Sequence, residues 1–350
     1  MKILYWIDDT HDQGKPPKPQ TKARLEKGLG VEIKIKTIAE RKEFDQFLSS
    51  IDSKACGVIM DYQLTKVGEN GQMAFGSSWA SEIRAAHRSI PVIGISHERE
   101  QDIPKLRLES FLAFFPRAAL LGAKPPFSNL DALLSGYKHV VRNVSKDHGK
   151  AGVLRMVELT QPPDAAAELL GSAVPPILRD NWDDETPHAA SRWIWHELQG
   201  RPGFLFDELG LATHLGLNLD GLSKVLTRFD QARYTGAFAS EGRPRWWVCA
   251  VRPIFEKLIG KPVLGALAGG RTDLLDALTI SKRTWKSILS APHGRRGSTE
   301  IPDCVAYRDD QREEDDRVQA LAIDTYVDER DENPPFGFEA RRIFAPAQLK

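Results

Sequence analysis

Short apolar runs alternate with stretches of helical periodicity over the first 144 residues, the signature of βα units that build a parallel sheet. Runs at 3–7, 31–36, 57–60, 91–95 and 118–121 predict five buried strands. Between them, 39–51 carries Phe44, Phe47, Leu48 and Ile51 at i, i+3, i+4, i+7 spacing, so one helical face is apolar and can cover the sheet. Segments 78–87 and 130–144 behave alike. Residues 10–21, with three prolines and a glycine, read as an extended loop, and 65–78, with Gly68, Gly71 and Gly76, as a second.

The pattern then changes. Residues 145–180 contain two diproline stretches and read as a linker that closes a domain at 1–144 and opens another at 181–350. The second domain reads as α-rich. A helix at 189–199 is heavy in aromatic residues, a short helix follows at 207–215, and Asp220 is placed to cap a third at 221–234. That third helix has Leu222, Val225, Leu226 and Phe229 on one face and Lys224, Thr227, Arg228 and Gln231 on the other. Residues 235–248 read as a hairpin turning at Glu241-Gly242, with Arg243 and Arg245 at its tip and Trp246-Trp247 returning to the core. Helix, turn, helix and basic hairpin over 189–248 is the order of a winged helix-turn-helix, whose second helix enters a major groove. Lys224, Thr227, Arg228, Gln231, Arg243 and Arg245 are therefore the nucleic-acid candidates; a protein-docking module is the competing reading.

Composition narrows the classes. The chain has 350 residues, 41% of them apolar, enough for more than one core. Its 48 basic and 48 acidic residues cancel, so any attraction for nucleic acid must be local: between Gly221 and Arg252 stand six Lys or Arg against two acids. Basic residues cluster again at 281–298 and an acidic segment spans 300–332, read as a solvated tail. Three scattered cysteines, without a CxxC, fit neither a disulfide framework nor a zinc knuckle. With no long apolar run or signal peptide, a cytoplasmic protein without a membrane span is expected.

The candidate chemistry lies where strands end. Asp8-Asp9, Asp61, Ser96 and Lys124-Pro125 each follow an expected strand, and open α/β sheets bind ligands at that carboxyl edge. Clustered carboxylates repel one another in a partly desolvated crevice unless a cation relieves them, and Mg²⁺ is the natural hard ion for such oxygens. Glycine, isoleucine and serine at 94–96 only partly match a nucleophile elbow, since Glu98 replaces the second glycine; His196-Glu197 starts an HExxH that Gly200 ends. No enzyme is expected.

An acidic pair, a lone aspartate, a hydroxyl residue and a Lys-Pro, in that order, resemble the receiver (CheY-like) domain of two-component response regulators. The resemblance implies a flavodoxin-like sheet of order 2-1-3-4-5. It implies Mg²⁺ on Asp8, Asp9, Asp61 and the Gln63 carbonyl, a phosphoryl group on Asp61, and Ser96 and Lys124 on the phosphoryl oxygens. The family's switch aromatic, three residues before the lysine, falls on Leu121. Implied partners are a histidine kinase or other phosphodonor, a second copy of the chain, and DNA. The alternative is a pseudo-receiver adaptor that grips a protein partner, in a stress or phage-defence system.

Overall fold

The computed structural model describes residues 1–8, 17–38, 40–64, 74–97, 103–146, 149–159, 174–179, 182–183, 185–200, 204–240, 242–263, 267–289, 304–307 and 317–320. They fall into two compact units, the first drawn from 1–158, 170–195 and 236–243, the second from 159–169, 196–235 and 244–350.

The first unit contains β1 (Lys2–Asp8), β2 (Val31–Thr37), β3 (Ala55–Asp61), the short β4 (Gln63–Leu64) and β5 (Ala74–Phe75), β6 (Val92–Ser96) and β7 (Ala113–Pro116). Five of these form one sheet in the order β2-β1-β3-β6-β7, every neighbouring pair parallel. Counted along the chain that is 2-1-3-4-5, the receiver, or flavodoxin-like, topology. Around the sheet run α1 (Pro19–Leu29), α2 (Arg41–Ser49), α3 (Gly76–Ala86), α4 (Lys105–Leu108), α5 (Arg117–Leu121), α6 (Phe127–Val144) and α7 (Gly149–Met156).

Alternation along each strand sends side chains to both faces, and both are covered. On one, Ile3, Tyr5, Ile7, Val58, Met60 and Val92 pack with Phe44 and Phe47 of α2 and Trp79, Ala80 and Ile83 of α3. Each large side chain buried this way contributes about 1.5–3 kcal/mol. On the other, α6 lies so close over β3 that a Cβ at Gly57 would collide with Leu134. A Cβ at Gly28 of α1 would likewise meet Phe127 of α6.

Two local expectations change. The proline-rich stretch read as a loop at 10–21 ends in helix: Pro19 starts α1 at its first turn, where a missing N–H costs nothing, and Gly30 closes it with φ 64°. The fifth strand is Ala113–Pro116, and 117–121 is helix α5. Proline ends the strand because it offers no amide to continue the ladder, and the apolar residues after it bury Leu120 from a helix instead.

The first unit also recruits later chain. Within the stretch read as a linker, α7 buries Val153 and Met156. Helix Thr186–Arg192 reaches the turn before β7, where Arg192 donates to Leu108 O (3.0 Å) and His188 Nε2 lies 2.9 Å from Glu109 O. Residues 236–239 are not an arm of a free hairpin. Ala237 N donates to Met156 O at 2.8 Å, and the Phe238 ring sits 5.9 Å from that of Trp195 and against Gly136 of α6. Apolar Ala237 and Phe238 gain more by burial there than a wing tip in water would. Glu241, the other half of the expected turn, lies outside the described residues.

The second unit is helical around one apolar core. Asp207 caps Glu208–Leu215 by accepting from Gly210 N, and Asn218, rather than Asp220, caps Leu219–Val225 by accepting from Gly221 N. The expected long third helix passes at Leu226 into a 3₁₀ segment, Leu226–Ala232. Strand β8 (Leu205–Phe206) pairs antiparallel with β9 (Trp246–Trp247), and Arg233 bridges to Trp246 on the other side. The order is strand, helix, helix, bridge, strand, with a partner for Trp246-Trp247 that the sequence reading did not assign. Helices Val248–Ile259, Arg271–Ala277 and Lys282–Ile288 follow. Of the acidic segment only Cys304–Tyr307 and Arg317–Ala320 are described, as an antiparallel pair. Among the described residues no helix is long and apolar enough to cross a membrane.

Candidate functional site

Register builds the site. Ile7 pairs with Met60 and Asp61 with Ile95, so the carboxylates that follow, Asp8 on β1 and Asp61 on β3, come to the same edge of adjacent strands. Ser96 pairs with Pro116, which delivers Ser96 and the next residue, Arg117, to that edge too. Asp8, Asp61, Ser96 and Arg117 are all buried, none more than 4% exposed.

The guanidinium of Arg117 lies between the two carboxylates. Its Nη1 donates to Asp61 Oδ2 at 2.6 Å and, longer, to Asp8 Oδ1 at 3.4 Å, while Nη2 donates to Asp8 Oδ2. Trp6 Nε1, two residues back on the same face of β1, donates to Asp8 Oδ2 at 3.2 Å. The Gln63 amide donates to Asp61 Oδ1 at 3.2 Å. Such ionised hydrogen bonds are about twice as strong as neutral ones, and the water-poor setting strengthens them further. Two carboxylates against one guanidinium leave these described groups at net −1.

Surrounding backbone holds the arrangement. Arg24 of α1 donates to Leu121 O (3.3 Å) and Gly122 O (2.6 Å), tying down the end of α5, the helix that Arg117 begins. Past Asp61, Tyr62 N donates to Ile95 O and Gly76 N to Tyr62 O, both at 2.8 Å. Helix α3 starts so close to β3 that a Cβ on Gly76 would strike the Asp61 backbone oxygen.

The sequence candidates thus divide. Asp8, Asp61 and Ser96 converge, with the Gln63 amide beside them; Asp9 lies outside the described residues. Lys124 does not join them: it is exposed beyond α5, because the strand expected just before it is a helix. The cation that sequence reading missed is Arg117. Its signal was the run Phe111-Leu112-Ala113-Phe114-Phe115 ending at Pro116-Arg117, outcompeted by the more familiar Lys-Pro seven residues on. The aromatic three residues before the strand-5 cation is then Phe114 rather than Leu121, packed edge-on to Tyr62 at 6.2 Å.

The fit of Mg²⁺ follows from the same contacts. That ion needs hard oxygens, and here both described carboxylates are already bridged by a guanidinium; among the described residues no group of three His, Cys, Asp or Glu side chains could hold a metal. The described donor set does not fit Mg²⁺ in this arrangement.

In the second unit, Lys224, Thr227, Arg228 and Gln231 are exposed while Val225, Phe229 and Ala232 between them are buried, so a polar outer face exists as expected. Arg245 departs from expectation. It is buried, and its guanidinium donates to Gln199 O (3.3 Å) and Pro244 O (3.4 Å). Arg243, in the first unit, is half-buried with its guanidinium 5.9 Å from the Trp195 ring centroid.

No family model and no curated protein matches the chain. Solved structures do. The response regulator TrrA from Thermotoga maritima, in complex with Mg(2+)-BeF, is 18% identical over 33% of this chain and 87% of its own, with a TM-score of 0.24. RcsB from Salmonella enterica serovar Typhimurium, bound to promoter rprA, is 15% identical over 54% and 98%, with a TM-score of 0.27. A response regulator from Burkholderia pseudomallei with a phosphorylated aspartic acid is 12% identical over 49% and 93%, at 0.24. With scores this low, the receiver fold assigned to this chain rests on the strand order and register.

Proposed function

We propose that this chain is a response-regulator-like signalling protein in which Asp61 accepts a phosphoryl group and the helical unit delivers the response by binding nucleic acid. The observation that carries the reading is the convergence of Asp8, Asp61, Ser96 and a buried cation at the carboxyl edge of a 2-1-3-4-5 sheet. A phosphoryl group transferred to an aspartate needs a positioned carboxylate, a fixed positive charge for its oxygens and a hydroxyl donor, and the pocket supplies all three. Its role is that of a stoichiometric acceptor rather than a turnover enzyme. A histidine kinase or a small acyl phosphate would be the donor, and a second copy of the chain is a natural partner of the phosphorylated form.

The output rests on the exposed face of Lys224, Thr227, Arg228 and Gln231, whose two cations suit phosphates and whose amide and hydroxyl suit base edges. The test has two arms. Exposure of the intact protein to acetyl phosphate should add one phosphoryl group, mapped to Asp61, that Asp61→Asn abolishes; equal labelling of both would remove Asp61 from the role. Lys224→Glu with Arg228→Glu should abolish a salt-sensitive shift of duplex DNA. DNA affinity that ignores both charges and salt would favour the protein-docking adaptor.

A further inference from the structure

We propose that Arg117 is the resident cation of the Asp61 pocket and that this protein takes up a phosphoryl group without a divalent metal. The inference rests on the phosphoacceptor reading above, and its first support is geometric. One end of the Arg117 fork is on Asp8 and the other on Asp61, so the guanidinium spans the gap between the two carboxylates. At 1% exposure this is no surface residue that swung inward by chance: it leaves β7 directly, and α5 is anchored at its far end by Arg24.

The second support is chemical. Guanidinium cannot lose its proton in a protein, so its charge is permanent, and its planar fork matches phosphate as well as carboxylate. In the transfer, an Asp61 carboxylate oxygen forms a bond to phosphorus while the donor's bond from phosphorus to its leaving oxygen or nitrogen breaks. The leaving group departs with that electron pair, taking a proton from solvent where its basicity requires one. Asp61 exchanges one negative charge for a phosphoryl group carrying about two. Nη1 then passes from Asp61 Oδ2 to a phosphoryl oxygen while Nη2 keeps its hold on Asp8. The side chain need not leave the pocket, because the fork already has one end on each partner. A receiver-like fold thus carries its neutralising charge on the fifth strand's exit instead of drawing it from solution.

The experiment uses the full chain. Wild type and Arg117→Gln are incubated with acetyl phosphate in EDTA or in millimolar Mg²⁺, with labelling of Asp61 followed by intact mass and peptide mapping. In parallel, Mg²⁺ is titrated into each protein by calorimetry and thermal melting. Wild type should label equally in EDTA and Mg²⁺ and show no saturable Mg²⁺ binding, while Arg117→Gln should lose about a hundredfold in EDTA labelling rate, the scale of removing one preorganised charge donor. Should Arg117→Gln fail to fold, Arg117→Lys retains a charge without the fork and should label at an intermediate, still metal-indifferent rate. Wild-type labelling that requires Mg²⁺, or saturable Mg²⁺ binding that Asp8→Asn removes, overturns the inference and leaves the phosphoacceptor reading standing. Absence of labelling under every condition overturns both, and calorimetry then reports separately whether the pocket is metal-free.

Discussion

Replacing Arg117 by methionine keeps most of the side chain's volume and deletes its charge, which isolates the electrostatic contribution of the bridge. In the intact protein the guanidinium satisfies Asp8 through both oxygens and Asp61 through one, with Asp8 fully buried and Asp61 nearly so. Without it, two like charges on adjacent strands face each other at the dry edge of a sheet. Removing one partner of a buried ion pair costs about 3–5 kcal/mol, because an uncompensated charge stays behind. Here two are left, so the upper part of that range applies. Urea unfolding followed by tryptophan fluorescence and far-ultraviolet dichroism would resolve the transition of the first unit, with Trp6, bonded to Asp8, as an internal reporter. A companion measurement sharpens the test. Asp8→Asn in the Arg117→Met background removes the repulsion between the two carboxylates and should recover part of the loss, giving a coupling of at least about 1 kcal/mol in a double-mutant cycle. A cost under about 1 kcal/mol for Arg117→Met, with no coupling to Asp8, would refute the idea that the bridge holds the edge together.

Other substitutions probe different links. Gly76→Ala drives a methyl group into the Asp61 backbone oxygen, which cannot yield without moving β3; a loss toward the upper end of about 1–3 kcal/mol is expected in the same unfolding assay, with reduced Asp61 labelling. Gly136→Ala should be similarly costly, since its Cβ would meet the backbone and ring of Phe238. In the second unit, burial of the His214 ring against Phe206, with Arg252 adding to the effect, lowers its pKa from 6.5 to about 4. The unfolded chain therefore binds a proton that the folded one refuses between those values. Stability from this group is complete above pH 6.5 and falls as pH drops toward 4, by roughly 2 kcal/mol after allowing for the ring's partial exposure. His214→Phe should flatten that slope in unfolding measured from pH 7 to pH 5.

The strands that were legible are those whose runs each close on a polar residue, Asp8, Thr37, Asp61 or Ser96: β1, β2, β3 and β6 all begin and end within two residues of expectation. The fifth failed because two apolar runs, at 111–115 and 118–121, are separated by only two residues, and local pattern alone cannot say which of them joins the ladder. That choice was made by Pro116 and by the packing of Phe111 and Phe114 beside Gly94 on β6, contacts invisible to a window of neighbours. The site inherited the error: both aspartates and the serine sit on strands that were read correctly, and the cation sits on the one that was not. Trp246-Trp247 were rightly taken for a strand returning to the core, but their partner at Leu205–Phe206 is some forty residues upstream and carries no turn signal to announce it.

Because residues 170–195 and 236–243 complete the first unit, it is discontinuous along the polypeptide, and no single cut releases it whole. A fragment ending at 144 would shed the Arg192 clasp on Phe111 O and uncover the Phe238 seat on Gly136. Exchange of one contiguous gene segment would therefore carry only part of this unit.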